Sequence, residues 1–152
     1  MAEHILGSPH EVGTVEHAQW LVDRHIQEEN PLHIEQAMRL YTEDIIWEVP
    51  GRRLMYRGKD QIKANYLRIF DAAEDISFEP IERFATPERV VDDMWVRFKL
   101  IGPGFENAPM PYGTRVKMRL VHNFHITDGL ISREIGYEMW MADDGDPTAT
   151  NL

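Results

Sequence analysis

The stretch RLVHNFHITDGLISREIGYEMW, Arg119 to Trp140, decides how the chain folds. Counting alternate residues through it and just before it, Val116, Met118, Leu120, Phe124 and Ile126 share one face of a strand. His122 shares that face, while Arg119 and His125 take the other. Asp128-Gly129 supplies the positive-φ residues of a tight hairpin, and a second strand runs from about Leu130 to Met141. An imidazole on an apolar face is either a core histidine bonded to a tyrosine or a carbonyl, or the wall of a pocket where chemistry happens.

Upstream, Arg89–Leu100 and about Ile76–Phe84 also read as strands, and the loop GPGFENAPMPYG separates Leu100 from a strand over Arg115–Ile126. Asp44 to Pro50, DIIWEVP, is a further strand broken by Pro50-Gly51, with Leu54 to Arg57 as a short extended piece. Helical spacing over Thr14 to Asn30 places Val15, Ala18, Leu21, Val22, His25 and Ile26 on one face, with Thr14 as cap and Asn30-Pro31 as stop. A short helix from about Pro31 to Leu40 follows, and a third covers Lys59 to Ala72 with Ile62, Tyr66, Ile69 and Phe70 inward. Helices and then a run of antiparallel strands predict an α+β fold, three helices packed on a curved, mostly antiparallel sheet. The apolar sheet face becomes the floor of a cone, and His122 points into it.

Bulk properties narrow the function. The chain has 152 residues, which fits one domain over 14–142 between a flexible arm (1–13) and a flexible tail (143–152). It has no cysteine, which removes disulfide and thiolate chemistry and fits a reducing cytoplasm. A net charge of −10 argues against nucleic acid as a partner and disfavours strongly anionic substrates. No apolar run is long enough to span a membrane, and the N-terminus lacks a signal-peptide core. No metal or cofactor is expected: His122 and His125 face opposite ways, and there is no phosphate loop, dinucleotide fingerprint or nucleophile elbow.

Three segments, YTEDIIWEVPG (Tyr41–Gly51), YRGKDQIKANYLRIF (Tyr56–Phe70) and VHNFHITDGLISREIGYEMW (Val121–Trp140), carry a resemblance in this order and spacing. They resemble the SnoaL-like, nuclear-transport-factor-2-like superfamily, which includes ketosteroid isomerases, scytalone dehydratase, polyketide cyclases and limonene epoxide hydrolase. The resemblance spans roughly Val15 to Met141 and implies a cone-shaped cystatin-like roll. It implies less about the reaction, because the superfamily holds hydrolases, lyases, isomerases, cyclases and adaptors. Laid on the isomerases, Val49 falls where their general base sits and His25 on their oxyanion-hole tyrosine. Tyr41 and Tyr66 fall on the supporting tyrosines, and His122 on the protonated aspartic acid. The aspartate that cyclases and the epoxide hydrolase carry on the last strand falls on Gly136.

His122 is therefore the leading candidate for general base or acid, and His25 for holding a substrate oxygen, with Tyr41 and Tyr66 in support. Each has a plain structural alternative: a core histidine, a cation at a helix C-terminus, and core packing. Glu134 is the acid that the comparison turns toward His122. Alternation says the reverse, because Ile131, Ile135, Tyr137 and Met139 look like the buried face and leave Glu134 and Glu138 outside. The resemblance implies that Glu134 faces the cone. Asp92 shares parity with Val90, Met94 and Val96 and is a second carboxylate for the cone, or else a solvated strand end. Trp47, Tyr56 and Trp95, with Glu138, are expected to bind the substrate; Arg52 and Arg53 read as solvated turn residues.

The resulting expectation is a cofactor-independent acid–base enzyme acting on a hydrophobic aromatic or polycyclic oxygenated molecule. Dehydratase-type elimination leads, with isomerisation or cyclisation second, and a homodimer through the sheet is expected. The alternative is a non-catalytic small-molecule-binding or dimeric interaction protein of the same fold. A roomy cavity containing His122 and a carboxylate favours the enzyme; a cavity filled by Trp47 and Trp95 favours the adaptor.

Overall fold

The computed structural model describes residues 3–144. Helix α1 (Val15–Glu28) begins where the Thr14 side chain accepts the His17 amide at 3.1 Å and ends just before Asn30-Pro31. Helix α2 is shorter than its pattern suggested, Ile34–Met38, because residues 31–33 form turns. Strand β1 (Tyr41–Val49) leads through a 3-10 turn, Pro50–Arg52, into β2 (Leu54–Arg57). Helix α3 (Lys59–Ala72) precedes four long strands: β3 (Ala73–Ala85), β4 (Arg89–Leu100), β5 (Arg115–Thr127) and β6 (Leu130–Ala142).

The six strands form one sheet in the order β2-β1-β6-β5-β4-β3. Only β1 and β6 run parallel; every other pair is antiparallel. The hairpin turn has positive φ at Asp128 (52°) and Gly129 (80°), as its sequence requires. Register places His122 opposite Gly136 and Asp92, and Phe124 opposite Glu134, so these residues share the concave face. On β5, Val116, Met118, Leu120, Phe124 and Ile126 are all buried there. Leu21, Val22 and Ala18 of α1 and Ile62 and Tyr66 of α3 pack in one core with Phe124 and Ile126, while Val116, Met118 and Leu120 pack in a second with Val96 and Phe98. Burying each such Leu, Val or Ile contributes roughly 1.5–3 kcal/mol.

The arm over residues 1–13, expected to be flexible, is anchored from residue 3 onward. Val12 donates to the Glu3 carbonyl at 2.8 Å, and Ser8 is buried with its hydroxyl 3.1 Å from His17 Nδ1. His17 Nε2 reaches the Gly129 carbonyl at 2.9 Å, tying the arm, α1 and the β5–β6 turn together. Of the expected tail, residues 145–152 lie outside the described residues, while the Asp143 amide donates to Arg115.

The loop between β4 and β5 folds back over the cone. Phe105 stacks on Phe98 with centroids 5.0 Å apart and meets Trp140 edge-on at 5.4 Å. Gly104 lies so close to α3 that a Cβ there would sit 1.7 Å from the Arg68 carbonyl oxygen. Gly104→Ala must therefore push the loop off the helix, at a stability loss of about 1–3 kcal/mol in urea unfolding. An unchanged unfolding midpoint would contradict this packing.

Candidate active site

A cavity of about 450 Å³ opens between the C-terminal end of α1 and the start of β3. Its walls are largely apolar and aromatic: Trp47, Phe70, Phe98, Phe105, Met118 and Leu120. At its base the polar groups are Tyr66, His122, Glu134 and Glu29. Among the described residues, no lysine or arginine lines it. A Cβ at Gly136 would meet Val49 Cγ2 at 3.3 Å, and Gly136 is not among the residues that line the cavity.

Glu134 is 1% exposed and cannot remain ionised without donors. Three elements supply them. Tyr41 of β1 donates to Oε2 at 2.5 Å, and Tyr66 of α3 donates at 3.2 Å to Oε1. His25 of α1 brings Nε2 to 3.1 Å from the Tyr41 hydroxyl and 3.4 Å from Glu134 Oε2. A relay from imidazole to phenol to carboxylate results, with each hydrogen bond polarising the next. On the cavity side, His122 Nε2 stands 3.6 Å from Glu134 Oε1, while its Nδ1 is buried without a partner. Nε2 is thus the nitrogen available to a ligand.

The same arrangement separates the protonation states. Burial alone would raise the Glu134 pKa, but the charge and hydrogen bond of His25, then His122 and Tyr41, hold it down at about 2. Burial alone would lower His25, but Glu134 outweighs it and raises the imidazole above its ordinary 6.5. His122 moves the other way, lowered chiefly by burial, so it is a neutral base at neutral pH. Burial and then Glu134 raise both tyrosines well above 10.0, and they stay phenols. Glu29, the residue after α1, is raised from 4.5 to about 8 by burial, an effect that His25 reduces and the Glu134 charge reinforces. Although 24% of its side chain is exposed, it lines an apolar cavity beside an ionised carboxylate, and the upward direction follows from both.

Several sequence expectations need correction. His25 is fully buried behind the cavity wall, so it orients Glu134 and touches no ligand space. Tyr41 is likewise buried behind Glu134, whereas Tyr66 and Trp47 do line the cavity. Asp92 lies on the concave face but in an adjoining chamber between α1 and β3, with both oxygens bonded by Arg83 at 3.1 and 3.0 Å. Glu138 is taken by Arg52 (2.8 and 3.1 Å) and by the Trp140 indole at 2.8 Å. Arg52 is consequently buried at 4% exposure, not solvated, because the returning loop also offers it the Glu106 carbonyl at 2.8 Å. Tyr56 packs on Trp47 but bonds the Glu106 carboxylate outside the cavity. Trp95 is on the convex face, under Lys117 Nζ at 4.2 Å. Glu29 was missed; the one signal for it was its position four residues after His25 on the same helical face. Among the described residues there is no metal-binding cluster, and no helix long and apolar enough to cross a membrane.

Comparison with known proteins adds a family. The SnoaL-like domain matches residues 22–134. No curated protein matches in sequence. Solved structures that superimpose include an NTF2-like protein from Burkholderia xenovorans (18% identity, 84% of this chain and 92% of that one, TM-score 0.68). An LEH-like epoxide hydrolase from Mycobacterium tuberculosis gives 15% identity, 82% and 84% coverage and a TM-score of 0.64. RV0760c from Mycobacterium tuberculosis, in complex with estradiol-17beta-hemisuccinate, gives 18%, 80% and 92%, and 0.62. At these identities the likeness is one of fold.

Tyr41→Phe removes the shortest donor to Glu134 while keeping the ring. The folded Glu134 pKa is below its unfolded value, so its stabilisation is complete at neutral pH and is lost as pH falls from about 4.5 through about 2. The variant is expected to lose about 1.5–3 kcal/mol at neutral pH and to show a smaller acid-linked loss that still begins near 4.5 but is complete at higher pH than in wild type. Urea unfolding across this range checks both; wild-type behaviour would remove the hydrogen bond from the account.

Proposed function

The chain belongs to the SnoaL-like domain family, and from that premise we propose that it is a cofactor-independent acid–base enzyme for a hydrophobic, oxygenated aromatic or polycyclic molecule. The observation that carries the reading is the open cavity of about 450 Å³ with His122 Nε2 at its base, backed by the ionised Glu134. Neither Trp47 nor Trp95 fills that space, as an adaptor would require. The absence of lysine and arginine from the described lining favours uncharged ligands. The steroid ester held by RV0760c supports a polycyclic ligand in a roll of this type.

The reaction that fits best is elimination beside an oxygenated carbon. His122 Nε2 takes the C–H proton, the released electron pair forms the double bond, and the C–O bond breaks toward water. Glu134 stabilises the imidazolium that forms, at 3.6 Å, and the Tyr41–Tyr66–His25 relay keeps Glu134 ionised and fixed. Isomerisation uses the same base, with the proton returned to another carbon, and ranks second.

We also assign the convex sheet face to a homodimer. Tyr137 and Met139 are 48% and 55% exposed there, beside Trp95 and its cationic cover. Sedimentation velocity should find a dimer that Met139→Glu weakens; a monomeric wild type would contradict the assignment.

Hydroxyketones, aromatic diols and polycyclic ketones, screened by mass spectrometry for loss of water and by absorbance for a shifted double bond, test the main reading. His122→Ala is expected to lower turnover by roughly 10²–10⁴-fold. Because the His122 pKa is lowered, the wild-type rate rises with pH through a value below 6.5, and the variant lacks that limb. Undiminished turnover in His122→Ala would end the assignment.

A further inference from the structure

An elimination needs a proton donor for the departing oxygen as well as a base, and the groups named so far provide none. His122 is the neutral base, Glu134 is an acceptor, and the Tyr41 and Tyr66 protons are committed to Glu134. We propose that Glu29 is the catalytic acid of this cavity and delivers its carboxyl proton to the leaving oxygen. This rests on the acid–base reading above and goes beyond it by completing the proton balance. Glu29, the residue that follows α1, lines the same cavity as His122.

The charge geometry around His25 explains why this carboxyl holds a proton. Two carboxylates flank one imidazole nitrogen: Glu134 Oε2 at 3.4 Å and Glu29 Oε2 at 3.7 Å from Nε2. Even when His25 carries its second proton, one ionised carboxylate makes the site neutral, and a second would leave a net negative charge in a largely apolar enclosure. Glu134 has the donors and takes the ionised role. Among the described residues, no hydroxyl, amide or guanidinium donates to the Glu29 carboxyl, and it stands at the negative end of the α1 dipole. The remaining groups facing it are consistent. Tyr66 is a buried phenol, His122 is neutral, and Glu28 turns away to Arg24 and His33. On β3, Glu74 and Asp75 are paired with Lys99 and Arg115 at the rim. A carboxylic acid whose pKa reaches about 8 is protonated at neutral pH and weak enough to need a committed geometry.

One cycle balances. The C–H proton passes to His122, the C–O bond breaks, and the oxygen leaves as water after taking the Glu29 proton. The imidazolium then returns its proton, through water, to the Glu29 carboxylate.

Two measurements on the full chain test this. In glutamate-labelled protein, carboxyl-carbon NMR should show one side chain titrating near 8, and that titration should be absent in Glu29→Gln. Persistence of that titration in Glu29→Gln, or no glutamate titrating in the alkaline range, would overturn the proposal. The second probe is benzisoxazole, compared with its nitro-substituted analogue. A base takes the ring C–H proton, a nitrile forms, the N–O bond breaks and the phenolic oxygen takes a proton. The nitro phenolate leaves unaided, whereas the parent needs an acid. Glu29→Gln should therefore slow the parent compound by roughly 10²-fold, slow the nitro analogue much less, and abolish the alkaline limb of the parent's pH–rate profile. Equal losses for both, or none, would overturn the role of Glu29. His122→Ala separates the two claims. If it turns over both probes undiminished, the base assignment fails while the leaving-group comparison still judges Glu29. No turnover by wild type would overturn both.

Discussion

A carboxylate buried at 1% exposure at the base of an apolar cone is the constraint on which the site depends. Glu134 sits on the last strand, and its donors come from the first strand, the third helix and the first helix. The hydrogen bond from Tyr41, at 2.5 Å, is the shortest of these and joins strands that are sequence-distant but parallel neighbours. Removing a donor leaves charge uncompensated in a low-dielectric enclosure, which is why such a cluster ties the layers into one geometry. The same cluster sets the electrostatics of His122, whose Nε2 stands 3.6 Å from the Glu134 carboxylate.

Two arginines determine which acids remain chemically available. Asp92 and Glu138 also lie on the concave face, yet Arg83 and Arg52 hold them in paired hydrogen bonds. Each arginine reaches its acid from the sheet edge or the turn after β1, so no cation has to enter the cavity. What remains is a neutral histidine, a shielded carboxylate and the half-buried Glu29 in an aromatic vessel. That set suits proton transfer on uncharged substrates.

Much of the fold was legible because period-2 and period-3.6 patterns are strong in this chain. Leu54–Arg57, Lys59–Ala72 and Arg89–Leu100 read from sequence with the bounds seen in the structure, and the Asp128-Gly129 turn fixed the β5–β6 hairpin. The concave placement of Asp92 and His122 followed from parity, and Trp95, of opposite parity, belonged on the other face by the same rule. Alternation failed on β6, where Ile131 and Ile135 are buried but so is Glu134, because partners from three other elements make a buried charge tolerable there. The arginine pairings were not legible. Arg83 reaches Asp92 only after the irregular register between Pro80 and Glu82, and Arg52 is buried by a loop that returns from some fifty residues later, with Asn107 Nδ2 bonding its carbonyl at 2.8 Å. Glu29 carried a positional hint beside His25, but its protonation depends on Glu134, far along the chain.

The central claim is that one buried anion splits two similar imidazoles into a positioning His25 that holds its proton more tightly than a free imidazole and a ligand-facing His122 that holds it less tightly. Ring-nitrogen NMR of histidine-labelled protein, assigned with His25→Gln and His122→Gln, measures this directly. The account predicts that His25 titrates above 6.5 and His122 below it, with His122 neutral at neutral pH. Coincident titrations near 6.5, or the reverse order, would contradict it.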